Sequence, residues 1–68
     1  MTELFFLVEE APEGGWTARA LGESIFTEGE NLDDLKASIK EAVELHFDEA
    51  DRPRILRLHI VKNELITL

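Results

Sequence analysis

At Asn31 the spacing of apolar residues changes from a period of two to one near 3.6, and after Pro53 it returns to two. Those switches divide the chain into strands, one helix and a further strand. Upstream, the aromatic and β-rich run Leu4-Phe5-Phe6-Leu7-Val8 stops at charged residues, and Ala11-Pro12-Glu13-Gly14-Gly15 supplies a turn. Trp16 to Leu21 alternates. Gly22-Glu23 then permits a second reversal into Ser24-Ile25-Phe26-Thr27, after which Gly29 is expected to break the ladder. Three antiparallel strands are predicted. In the helical segment Leu32, Leu35, Ile39, Ala42, Val43, Phe47 and Ala50 fall on one stripe. Asn31 is suited to the N-cap, and Asp33 and Asp34 place negative charge where the helix dipole favours it. The spacing predicts a helix that runs on until Asp51-Arg52-Pro53 ends it. The strand that follows puts Leu56, Leu58 and Ile60 on one face and Arg57 and His59 on the other. Glu64-Leu65-Ile66-Thr67-Leu68 is too apolar for a solvated tail, so it is predicted to pair as a short extra strand or to pack on a neighbouring subunit.

The order is βββαβ, an α+β arrangement with an antiparallel-rich sheet of about four strands and a helix on one face. One helix leaves the other face bare. In the first strand Leu4, Phe6 and Val8 point one way while Phe5 and Leu7 point the other. Leaving Phe5 and Leu7 wet forgoes ~1.5–3 kcal/mol apiece, so the uncovered face is expected to be a protein interface. Chain length argues the same way. A single domain, residues 1–68, buries only ~60% of the surface its unfolded chain exposes. With no cysteine, disulfides and thiolate zinc sites are closed to it, and oligomerisation is the remaining cheap support.

Fifteen acidic residues against seven Lys and Arg give a formal charge of −8, which repels phosphate backbones. Direct nucleic-acid binding is therefore not expected. Arg52, Arg54 and Arg57 form a local basic cluster, read here as solvated charges flanking a strand. Met1-Thr2-Glu3 lacks the basic start of a signal peptide, and no stretch approaches the ~20 apolar residues of a membrane span. A soluble cytoplasmic chain, without membrane contact, is the expectation.

Catalysis finds little support. His46 near the helix end has Glu49 three residues on, but further metal ligands are lacking, and packing at the sheet margin is the preferred role. His59 has no Ser or Asp placed by sequence to serve it. No cofactor is implied. Trp16, after the glycine pair, stands equally as an exposed anchor for a partner or as a cap on the core. Leu45 falls off the centre of the helical stripe and is expected to be exposed.

Four stretches taken together carry a resemblance: Gly14-Gly15-Trp16, Leu21-Gly22, Thr27-Glu28-Gly29-Glu30-Asn31-Leu32-Asp33-Asp34-Leu35 and Ile39-Lys40-Glu41-Ala42-Val43-Glu44-Leu45. Their order and spacing resemble the N-terminal domain of HicB-type antitoxins, over roughly Leu4 to Glu49. The resemblance implies a partial ribonuclease-H-like βββαβ fold, usually homo-oligomeric, that binds a small HicA-type ribonuclease toxin and masks its RNA-cleaving surface. Ribonuclease-H chemistry itself needs paired carboxylates holding two metal ions. Here the acids cluster at strand ends, turns and the helix exterior, so an enzyme is not expected. Two departures stand out. Many members of that family carry a C-terminal DNA-binding segment, for which the sequence to Leu68 has no room, and the corner that often reads Pro-Gly-Cys is here Leu21-Gly22-Glu23. The partner-binding candidates are Phe5, Trp16, Arg19, Glu23 and His59. A contrasting expectation is an orphan homo-oligomeric scaffold or small-ligand-binding protein of the same fold, because fold does not fix function.

Overall fold

The computed structural model describes residues 2–68. Its elements are β1 (Glu3–Glu10), β2 (Trp16–Ala20), β3 (Phe26–Gly29), α1 (Leu32–His46) and β4 (Ile55–Val61). The strands form one four-stranded sheet in the order β3-β2-β1-β4. β1, β2 and β3 make an antiparallel meander, and α1 then carries the chain across to place β4 parallel to β1 at the far edge. The βββαβ expectation holds, in a mixed sheet.

Alternation along β1 builds the core. Leu4, Phe6 and Val8 are buried with Ala18 and Ala20 of β2, Ile25, and Leu35, Ile39 and Val43 of α1. The register sets Phe6 opposite Ala20 and Val8 opposite Ala18, so the large side chains of β1 stand beside the smallest ones of β2. α1 lies over β2 and β3, where those short side chains let it settle, and stands off β4. Its start is as the sequence predicts: Asn31 Oδ1 accepts from the Asp34 N–H at 2.8 Å.

Three boundaries differ from the sequence expectation. The Ala20 N–H bonds the Ile25 carbonyl at 2.9 Å, which takes Ser24 and Ile25 into the reversal, so β3 begins at Phe26. The ladder ends at Gly29 as expected, with that glycine as the last residue of β3, opposite Trp16. Its lack of a side chain serves the helix, since a Cβ there would lie 2.6 Å from the Leu35 nitrogen. Second, α1 stops at His46, well before Pro53. Phe47 turns extended (φ −113, ψ 142) while its N–H still reaches the Val43 carbonyl, and Ala50 is exposed off the stripe. The Arg52 guanidinium donates to the carbonyls of Glu44 (3.2 Å) and Phe47 (3.5 Å), capping the helix end from outside. Third, residues 62–68 form no strand within the chain, and Leu65 and Ile66 are 93% and 80% exposed.

The described chain measures 53 × 18 × 18 Å. Eight-residue β1 accounts for only ~27 Å of the long dimension at ~3.4 Å per residue. The excess is what a projecting seven-residue segment supplies.

Candidate functional site

The sheet face turned away from α1 is uncovered, and the register assigns its residues in rows. Phe26, Arg19, Leu7 and His59 lie side by side across all four strands. In the next row Phe5 neighbours Arg57, and the Leu21 N–H bonds the Phe5 carbonyl at 2.9 Å. On the other side of the central row come Glu28, Thr17, Glu9 and Val61. Glu3 and Ile55 complete the face at the start of β1 and β4.

Its apolar part is large and wet. Phe26 is 66% exposed, Leu21 49%, Phe5 46% and Ile55 43%, while Leu7 between them is half-buried. These residues sit on neighbouring strands, so they form a contiguous patch and not scattered surface leucines. Cationic groups are interleaved with it. Arg57 reaches back across to Glu3, its Nε and Nη2 each 3.0 Å from Oε1. That hydrogen bond first, and the carboxylate's charge second, hold the guanidinium above its ordinary pKa. Arg19 is exposed and has no hydrogen bond or ion pair among the described residues.

Three of the sequence candidates, Phe5, Arg19 and His59, are thus brought together on one face. Trp16 is not with them. It shares the facing of Ala18 and Ala20, is half-buried, and packs against the core at the end of the sheet. Glu23 lies on the β2–β3 connection, where Oε1 is 3.2 Å from His46 Nε2. Glu49, three residues on in the sequence, is not the partner of His46, because the helix ends before Glu49 can fall one turn beyond it. The His46 ring also meets Phe47 edge-on, with centroids 4.9 Å apart. Phe26, Leu21 and Ile55 are the face residues that sequence reasoning missed. Their signal was the opposite facing of consecutive residues such as Ile25 and Phe26, visible only once the register is known.

Among the described residues no three His, Cys, Asp or Glu side chains gather as a metal site. No helix of the described residues is long and apolar enough to cross a membrane. The chemistry the face offers is that of an aromatic and aliphatic contact surface edged with charge.

Comparison with known proteins adds a lineage. A protein of Archaeoglobus fulgidus is 54% identical over 52 residues, covering 76% of this chain and 77% of its own, and is named a UPF0150 protein. A UPF0150 protein of Thermotoga maritima is 35% identical over 66 residues, covering 97% of this chain and 93% of its own. The chain belongs to the UPF0150 family. That name states no activity. No family model matches the chain, and no solved structure does. Because the Thermotoga match spans nearly the whole chain, the UPF0150 relationship takes in the sheet and the helix together.

Proposed function

We propose that this UPF0150 protein is a HicB-like antitoxin, a cytoplasmic binding module that grips a small basic HicA-type ribonuclease and masks its RNA-cleaving surface. The observation that carries the proposal is the uncovered sheet face, where Phe5, Leu21, Phe26 and Ile55 remain exposed around Arg19 and His59. An exposed apolar patch of this kind on a small chain is suited to a protein partner. The net charge of −8 complements a basic RNA-binding protein and speeds encounter more than it deepens affinity. The four sequence stretches that resemble HicB antitoxins support the same partner class.

The test is to mix the purified protein with any small basic protein encoded beside it and to measure solution mass and RNA cleavage together. A mixed complex that has lost cleavage is the expected result. Phe5→Asp and Arg19→Glu should each weaken that complex at least tenfold with the far-UV circular dichroism unchanged, since both side chains are exposed in the free chain. No mixed complex with a neighbouring gene product would favour the orphan scaffold or ligand-binding role.

A further inference from the structure

β4 is an edge strand, with one side of its backbone paired to β1 and the other side open. On the helix-facing side of that same edge, α1 stands off, and a groove of about 280 Å³ opens between Ile39, Leu56 and Leu58, rimmed by Lys36 and Lys40. Ile60, next along that side of β4, is 44% exposed. Immediately after β4 comes the projecting segment 62–68 with exposed Leu65, Ile66 and Leu68. An open edge, an apolar margin and an apolar extended segment therefore adjoin one another.

The segment does not fold back on its own β4. A tight hairpin needs positive φ at its centre, whereas Lys62, Asn63 and Glu64 all have negative φ and segment 62–68 is not paired with its own β4. Pairing with a second copy needs no turn at all. We propose that segment 62–68 continues β4 as a strand and pairs antiparallel with the same stretch of a second copy. The two sheets would then join edge to edge, with Asn63 on the two-fold axis.

The register follows from symmetry and side-chain chemistry. A two-fold axis perpendicular to a sheet leaves every side chain on its own face. Directly opposed residues must also share a face, so only odd-with-odd and even-with-even pairings close the dimer. With Asn63 opposite Asn63 of the second copy, Lys62 meets Glu64, Val61 meets Leu65, Ile60 meets Ile66, His59 meets Thr67 and Leu58 meets Leu68. Each apolar residue finds an apolar partner, and the one charged pair is of opposite sign. Moving the axis to Lys62 opposes two lysines and sets Glu64 against Ile60, and moving it to Glu64 opposes two glutamates and sets Lys62 against Ile66. Both neighbouring registers are thus disfavoured. In the matched one, Ile66 and Leu68 lie beside Ile60 and Leu58 at the mouth of the α1–β4 groove, and the open edge of each copy is paired from Leu58 onward.

Because both helices stay on one side of the joined sheet, this contact leaves the uncovered face of each copy free, and it does not depend on the antitoxin proposal. The experiment is light scattering on the purified full chain, whose mass is 7.7 kDa. Twice that mass is expected for the wild type. Ile66→Asp and Leu68→Asp should each halve it with the far-UV circular dichroism unchanged, because both side chains are solvent-exposed in the single copy. Phe5→Asp should leave it doubled. The chain has no cysteine, so Asn63→Cys should give a disulfide-linked dimer under mild oxidation, its opposed positions lying within ordinary disulfide reach. Val61→Cys, opposite Leu65, should not. A monomeric wild type, a dimer indifferent to Ile66→Asp and Leu68→Asp, or preferential linking through Val61→Cys would overturn the proposal.

Discussion

At Gly29 the sheet and the helix approach closely, and the reason a glycine stands there is steric. A Cβ at that position would meet the Leu35 nitrogen at 2.6 Å and its Cα at 2.8 Å, and neither is the yielding end of a flexible side chain. Gly29→Ala should therefore push the first turn of α1 off the sheet and cost about 1–3 kcal/mol, the range for overpacking. Urea denaturation would show it as a lowered midpoint with the slope unchanged. Gly14 makes a useful contrast: nothing lies within 4 Å of its Cβ direction, but its φ is +103, so alanine there carries only the backbone penalty of about 1–2 kcal/mol. Asn31→Ala removes the acceptor for the Asp34 N–H and should cost about 1 kcal/mol in the same measurement. The cap was legible in the sequence because Asn31 is followed at once by acidic residues and the apolar stripe. The end of the ladder at Gly29 was legible too, but its close approach to α1 was not, because a glycine at a strand end looks the same whether or not a helix packs on it.

At the scale of elements, the two ends of α1 differ in how local their causes are. The start depends on residues within three positions of one another, whereas the end depends on Phe47 leaving the helix and on Arg52 returning to cap the Glu44 and Phe47 carbonyls. Periodicity alone carried the stripe on through Ala50, since nothing between His46 and Pro53 is a strong helix breaker. Arg52→Ala leaves those carbonyls to water and should lower stability by about 1–2 kcal/mol, measured by thermal or urea unfolding. Strand facing was more legible. Leu4, Phe6 and Val8 are buried and Phe5 is exposed as alternation requires, and Leu45 is 82% exposed on the helix exterior. Leu45→Asp consequently tests the location of the partner surface. If the partner docks on the uncovered sheet face, that change should leave both fold and complex unaltered in a binding titration, whereas weakened binding would move the docking site to the helix. The segment after β4 was legible as apolar but not as unpaired, because hydrophobicity shows that a segment seeks cover and not which chain provides it.

For the whole molecule, the charge of −8 and the uncovered face have separable effects on association. Charge acts at a distance, and its reach contracts to ~8 Å at physiological ionic strength. The face acts on contact, through exposed Phe5 and Phe26 around Leu7. With a basic partner, raising salt should slow association steeply while changing dissociation little, and stopped-flow mixing across a salt series would separate the two rates. Phe5→Asp should do the reverse, hastening dissociation with the salt dependence of association nearly intact. Joining two copies through β4 would double the charge that steers an approaching partner and would present two uncovered faces on the same side of one sheet. Dissociating that dimer with Ile66→Asp should thus flatten the salt dependence of association without altering the dissociation rate of a partner bound to a single face. Equal salt dependence in the two proteins would mean that a single copy alone steers its partner.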